Sequence, residues 1–157
     1  MGSKFKNLEI AIQNQTKNVS WKCDIKKINL EVLRTKLSEE IKDKLVTDYL
    51  IIRLDLDKVV ENHCNKESDK VFPIGKIGRN QDKDNINRLI DLINNNTQLI
   101  PPIIIKKESQ DLSIISIIDG NHRIALCRAL SIKEIPFIVL KTDKEYFKDN
   151  YKYESGI

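Results

Sequence analysis

The residues with the greatest chemical capability stand together in the pentapeptide Asp119-Gly-Asn-His-Arg123. The Asp119 carboxylate can bind a metal ion or hold a guanidinium group. The His122 imidazole can donate a hydrogen bond or take up a proton near neutral pH. The Arg123 guanidinium is a planar fork that pairs bidentately with phosphate. These residue types at this spacing favour chemistry on a phosphate group.

Two elements must position this pentapeptide. The apolar, β-branched run from Ile114 to Ile118 precedes it and predicts a buried strand. Apolar residues at helical spacing follow it and predict a short helix over residues 122–130. Gly120 lies between them, where a glycine can adopt positive φ and let another group approach the backbone closely. The sequence therefore predicts a strand, a four-residue turn and a helix.

The start of this helix is predicted to be an anion site. The backbone N–H groups of Gly120, Asn121 and His122 and the positive end of the helix dipole point toward the turn. Placing His122 and Arg123 at that same positive end is unfavourable unless an anion binds there. A tight turn with a solvated arginine is the alternative.

The pentapeptide, the alanine-bearing helix after it and the segment Lys133-Glu-Ile-Pro-Phe-Ile-Val-Leu140 together resemble the ParB/sulfiredoxin-like superfamily. The resemblance extends over about residues 49–141. It implies an α/β (α+β) fold, in which a small mixed sheet has flanking helices. It also implies that the turn binds ATP or CTP through Gly120, Asn121, His122 and Arg123, with Mg²⁺ on Asp119.

The branches of this superfamily differ in function. Several bind CTP or ATP, some of these hydrolyse it, one transfers the phosphoryl group to free serine, and other relatives are described as nucleases. The sulfiredoxin branch has a cysteine where Asn121 stands here, so sulfinic-acid reduction is not expected. Cys127 is predicted to be a small buried apolar residue instead. Chromosome-partition relatives continue into DNA-binding and dimerisation domains, and this chain ends about twenty residues after the fold, so partition is not expected.

Three carboxylates are further catalytic candidates. Residues 49–60 predict a strand that emerges at a sheet edge and corresponds to the superfamily's first strand. Asp55, Asp57 and Glu61 would then lie near the mouth of the cleft, where one of them could orient a nucleophile. The alternative is that the aspartates face water.

In residues 62–84, glycine, proline, asparagine, serine and aspartate residues interrupt every periodicity and predict a long loop. Within it, Lys76 and Arg79 lie on a glycine-flanked segment that resembles a basic loop of the superfamily. We expect them to be secondary phosphate contacts, and a solvated basic loop is the alternative.

The remaining elements follow from periodicity and turn residues. A helix is predicted over residues 85–95, capped by Asp82 or Asp84 and ended by the asparagines at 94–96. Residues 103–107 should pair as a hairpin with residues 112–118, and Pro136 should open the closing strand.

The chain is predicted to have three parts. Residues 1–48 form an N-terminal extension, partly helical between residues 24 and 46, in which Trp21 fills the core. Residues 49–141 form the ParB/sulfiredoxin-like domain, and residues 142–157 a polar helical tail anchored by Tyr146 and Phe147.

The composition limits the classes of function. The net charge of +4 permits an anionic ligand and predicts at most weak, non-specific nucleic-acid binding. Three scattered cysteines indicate neither a disulfide framework nor a zinc site. No apolar run reaches the length of a membrane span, so the protein is expected to be cytoplasmic, without a membrane partner.

The expected function is hydrolysis of a nucleoside triphosphate, or transfer of its phosphoryl group, with Mg²⁺. A nucleic-acid-binding protein or nuclease is one alternative. An inert module that senses a nucleotide or docks a protein is another.

Overall fold

A four-stranded mixed sheet with helices against it forms the framework of the computed structural model. The structure describes residues 19–25, 28, 48–62, 80–107 and 114–154. The strands are β1 (Tyr49–Asp55), β2 (Ile103–Lys107), β3 (Ile114–Asp119) and β4 (Glu134–Leu140). The helices are α1 (Leu56–Glu61), α2 (Asn80–Asn94), α3 (Asn121–Ala129) and α4 (Lys144–Tyr151), with a 3₁₀ turn at Lys141–Asp143. The prediction of a small mixed sheet with flanking helices is confirmed.

The strand order is β1-β4-β2-β3. β1 pairs antiparallel with β4, with Asp55 opposite Glu134, and β2 pairs antiparallel with β3. β2 and β4 meet in parallel where Ile103 lies beside Ile138. The predicted pairing of residues 103–107 with the strand before Asp119 is thus confirmed. The turn predicted at residues 108–111 lies outside the described residues.

Both faces of the sheet are covered by apolar side chains. The main core includes Leu54, Ile124, Phe137 and Phe147, all completely buried. A smaller cluster contains Ile28, Tyr49, Ile103 and Ile138. α4 contributes Phe147 and Tyr151 to the main core and Tyr146 packs against it, so the predicted helix with Tyr146 and Phe147 as its anchors is confirmed over Lys144–Tyr151.

The N-terminal extension contributes to the same core. Trp21 is buried, as predicted, and forms a parallel bridge with Leu99. The Lys22 N–H donates to the Leu99 carbonyl at 2.8 Å, and the Leu99 N–H donates to the Ser20 carbonyl at 2.8 Å. Most of the helix predicted between residues 24 and 46 lies outside the described residues. Within the described part of the chain, every helix is too short or too polar to cross a membrane.

The predicted extension of the first strand to Val60 is wrong. β1 ends at Asp55, whose Oδ1 atom accepts a hydrogen bond from the Lys58 N–H at 2.9 Å. This side-chain cap starts α1, in which Leu56 and Val59 are buried three residues apart. The aspartate that the alternation placed on a strand is therefore a helix cap.

The predicted start of α2 is also wrong. The helix begins at Asn80 rather than Asn85, so both predicted caps, Asp82 and Asp84, lie within it. Residues 80–84 of the predicted loop are therefore helical, and residues 63–79 lie outside the described residues. The asparagine stop is confirmed, because Asn96 adopts a φ of 59° and the Thr97 N–H donates to the Leu92 carbonyl at 2.9 Å. This is the Schellman arrangement of a helix end.

Pro136 lies inside β4, two residues after its start, although β4 is an interior strand. The Ile138 N–H faces β2, where it donates to the Pro102 carbonyl at 2.8 Å. Alternation along a strand directs the nitrogen of Pro136 to the same side, ahead of the point where β2 begins to pair. The missing N–H of Pro136 therefore breaks no described ladder bond.

The end of α3 repeats the Schellman arrangement without a glycine. Ser131 has a φ of 60°, and the Ile132 N–H donates to the Cys127 carbonyl at 3.0 Å. A left-handed conformation costs a residue with a Cβ atom about 1–2 kcal/mol, which glycine avoids.

We expect Ser131→Gly to raise the free energy of unfolding. The gain should be about 0.5–1 kcal/mol, because the relief of strain exceeds the extra entropy of an unfolded glycine. Urea denaturation followed by circular dichroism measures it. Asn96→Gly is the matched control and should gain less, since asparagine tolerates this conformation better. A loss of stability in Ser131→Gly would contradict the strain.

Candidate anion-binding site

A single residue connects β3 to α3. β3 ends at Asp119 and α3 begins at Asn121. The connection is therefore Gly120 alone, and the prediction of a four-residue turn is wrong. Gly120 has a φ of 106°, and its carbonyl accepts the helix's first hydrogen bond from the Ile124 N–H at 2.9 Å. No side chain caps this end of the helix. The N–H groups in the first turn of α3 therefore donate no hydrogen bond to a capping side chain at position 120.

Gly120 packs directly on Pro102. A Cβ atom at position 120 would lie 2.7 Å from the Pro102 Cβ atom and 2.9 Å from its Cα atom. Pro102 is held in turn by the hydrogen bond from Ile138 and is buried. The sequence predicted that Gly120 admits another group close to the backbone, and that group is a proline of the same chain.

Arg123 and Asp119 form an ion pair across this junction. The Nη2 atom of Arg123 lies 2.8 Å from the Oδ2 atom of Asp119, and their side chains are 18% and 22% exposed. The sequence left two roles open for Asp119, namely a metal ligand or a partner of the guanidinium. In the structure its carboxylate holds the guanidinium.

Two polar atoms at the same junction are buried without a hydrogen-bond partner among the described residues. They are the Nε atom of Arg123 and the Oδ1 atom of Asn121. A buried polar atom without a partner costs about 1–3 kcal/mol, so each such atom needs an explanation. A bound water or ligand that donates to Asn121 and accepts from Arg123 would satisfy both. The sequence had placed both residues in the site, but it could not show which of their atoms lack partners.

His122 occupies the first turn of α3 and is half-buried. It therefore lies between the two residues with unsatisfied atoms. The five predicted residues from Asp119 to Arg123 thus extend from the end of β3 into the first turn of α3.

The structure gives the other catalytic candidates separate surroundings. Asp55 caps α1, and the Oδ2 atom of Asp57 lies 3.6 Å from the Nζ atom of Lys133 at an exposed position. Glu61 is exposed at the end of α1. The next residue, Asn62, accepts a hydrogen bond from the N–H of Ile115 at 3.1 Å.

Ile115 precedes Asp119 by four residues, about 13 Å along a strand. The end of α1 is therefore placed beside the beginning of β3, while the pentapeptide lies at its end. Lys76 and Arg79 lie outside the described residues.

The side chains near the junction suit a magnesium ion that arrives with a substrate better than a resident one. Within the described residues, no three His, Cys, Asp or Glu side chains are grouped as a metal site. Mg²⁺ commonly uses one or two carboxylates together with substrate phosphates and waters. Asp119 could supply one such carboxylate to an ion that arrives with a nucleotide, which fits a substrate-borne metal better than a resident one.

Cys127 lies one helical turn beyond Arg123 and is almost completely buried. The prediction that it is a small buried residue is confirmed. Burial raises the pKa of the Cys127 thiol to about 12, and the nearby Arg123 charge offsets this only in part. A thiol with this pKa is protonated near neutral pH and is a poor nucleophile.

No family model matches this chain, and neither the curated proteins nor the solved structures include a match to it.

We expect Gly120→Ala to destabilise the protein by about 3 kcal/mol. About 1–2 kcal/mol comes from a Cβ atom at positive φ and the rest from overlap with Pro102. Urea denaturation of Gly120→Ala measures this cost, and Ser131→Ala, measured in the same way, is the control. Ser131 already carries a Cβ atom at positive φ on the surface, so that variant should change little. Equal effects in the two variants would contradict the contact with Pro102.

We expect stability to fall as the pH rises above 9, in part because of Cys127. The pKa of the Cys127 thiol is 9.0 in the unfolded chain, and burial raises it to about 12 in the folded protein. Between these values the unfolded state releases the proton first, which favours unfolding by about 1.4 kcal/mol at pH 10.

Denaturation of the parent protein and of Cys127→Ala at pH 8 and pH 10 measures this contribution. The variant should be less stable at pH 8 because it loses buried volume. Its further loss between the two pH values should be smaller than that of the parent protein. Identical losses would contradict the buried, protonated thiol.

Proposed function

We propose that the junction from Asp119 to Arg123 binds the phosphates of ATP or CTP, and that the protein hydrolyses the nucleotide or transfers its phosphoryl group with Mg²⁺. The observation that supports this most is the buried Nε atom of Arg123, which lacks an acceptor among the described residues at the uncapped start of α3. A phosphate oxygen is a strong acceptor for such a group. The proposal includes a ParB/sulfiredoxin-like arrangement of the sheet and helices.

The electrostatics of the junction favour an anion. α3 has no acidic residue in its first turn, whereas acidic residues are the usual complement to the positive end of a helix dipole. Arg123 adds a further positive charge there. The nearest described counter-charge is Asp119, a single carboxylate. A phosphate would supply the negative charge and the acceptor oxygens together.

The residues of the junction would have different roles. Arg123 would hold phosphate oxygens before and during transfer, and Asn121 would accept a hydrogen bond from a hydroxyl or water beside them. His122 would donate to a phosphate oxygen or take the nucleophile's proton. A magnesium ion arriving with the nucleotide would supply charge neutralisation, with Asp119 as its ligand on the protein. Phosphoryl transfer needs little beyond such positioning and electrostatics.

The alternatives have less support. Binding of nucleic acid would need a basic surface continuous with the junction. Lys106 in β2 would be one cation of such a surface, but its Nζ atom lies over the Tyr146 ring, 4.5 Å from the ring centroid. An inert nucleotide-sensing or protein-docking module would use the same anion contacts without turnover. Phosphate release with and without magnesium distinguishes that module from an enzyme.

We expect Arg123→Ala to weaken the binding of ATP or CTP about 30-fold. This corresponds to the loss of one charge-assisted contact worth about 2 kcal/mol. Calorimetric titration measures the dissociation constants in parallel with a phosphate-release assay. Arg128→Ala is the matched control, because it removes the same charge from the last turn of the same helix.

The control should bind within about twofold of the parent protein, since that end of the helix carries the negative pole of the dipole. If both variants bind the nucleotide like the parent protein, the junction is not its phosphate site. Binding by the parent protein without magnesium-dependent phosphate release would support the sensing module over the enzyme.

A further inference from the structure

We infer that Asp119 is a built-in competitor for the anion that Arg123 binds, so that the phosphate site is occupied in the free protein by the chain's own carboxylate. The inference depends on the proposed function, because it concerns the same guanidinium. It assigns Asp119 a regulatory effect on binding that is independent of any role as a metal ligand.

The geometry of the ion pair is the basis. The Nε and Nη2 atoms of an arginine lie on one edge of the guanidinium, and this edge can pair bidentately with an oxyanion. Asp119 accepts from Nη2 at 2.8 Å, while the adjacent Nε atom is buried and unsatisfied. The carboxylate therefore takes half of the edge and prevents a second oxyanion from using all of it.

The consequence is a lowered affinity in the free protein. A phosphate that accepts hydrogen bonds from both Nε and Nη2 must displace the Asp119 carboxylate from Nη2. Until the carboxylate leaves, its negative charge repels the phosphate. When only a fraction of the molecules have the competent arrangement, the apparent affinity falls by that fraction. Removing the charge of Asp119 should therefore tighten anion binding, which is the opposite of what loss of a binding residue would do.

The spacing makes displacement sterically simple. Asp119 is the last residue of β3 and Arg123 lies four residues later in the first turn of α3, so the pair crosses only Gly120, Asn121 and His122. Rotation of the Asp119 side chain would release the Nη2 atom of Arg123, which is the atom that the carboxylate holds. Magnesium borne by a nucleotide would have the same effect if it drew the carboxylate away from Arg123.

The test is calorimetric titration of pyrophosphate and of ATP in the presence of EDTA, so that no metal contributes. The variants are Asp119→Asn and, as the matched control, Glu134→Gln. Glu134 is the acceptor of another arginine pair, in which its Oε1 atom lies 2.9 Å from the Nε atom of Arg53. Both substitutions replace a carboxylate by an uncharged amide, which can still form hydrogen bonds.

We expect Asp119→Asn to bind pyrophosphate about tenfold more tightly than the parent protein, with Glu134→Gln within about twofold of it. Equal or weaker binding by Asp119→Asn, beside measurable binding by the parent protein, would overturn the competitor role and leave the proposed function standing. An equal gain in affinity for Glu134→Gln would also overturn the competitor role, since the change in net charge alone would then explain the tighter binding. If none of the three proteins binds pyrophosphate or ATP in EDTA, and none binds ATP or CTP when magnesium is added, the proposed function itself is overturned.

A second measurement tests the inference even if Asp119→Asn fails to fold. In the parent protein, the ¹³C resonance of the Asp119 carboxyl group should shift as pyrophosphate is added, because the carboxylate leaves Arg123. A resonance that stays constant while pyrophosphate binds would overturn the inference.

Discussion

The contact between Gly120 and Pro102 is the constraint on which the candidate site depends. Since no Cβ atom fits at position 120, the chain passes from β3 to α3 through one left-handed residue. Pro102 is fixed by its hydrogen bond to β4, and the next residue, Ile103, lies opposite Asp119. The end of one strand, the start of the next helix and the centre of the sheet are thereby held in register. The ion pair between Asp119 and Arg123 depends on this register.

The same junction combines a rigid backbone with unsatisfied side chains. The helix behind it is anchored by Ile124, Ala125 and Leu126, which are all buried. Most buried polar groups in proteins are hydrogen-bonded, and departures from that rule concentrate at functional sites. The unsatisfied atoms of Asn121 and Arg123 are such a departure on a fixed framework. A small anion with its own hydroxyl or water is the ligand that would resolve it.

The sequence predicted those features that depend on local pattern. The isoleucine run, the glycine and the alanine-bearing helix were all found where β-branched content and helical spacing placed them. It failed where one side chain decided between two elements, as when the cap by Asp55 ended β1 early. It also could not identify Pro102 as the partner of Gly120 or assign the Asp119 carboxylate to Arg123. The first contact depends on tertiary packing and the second on which of several partners one side chain takes, and periodicity encodes neither.

The most direct test of the account is an NMR titration of ¹⁵N-labelled protein with ATP, with the arginine Nε–H resonances included. The account predicts that the largest shifts occur at the amides of residues 120–124 and at the Nε–H group of Arg123, which should move downfield as it gains an acceptor. Shifts that occur elsewhere and leave these resonances unchanged would contradict the assignment of this junction as the phosphate site.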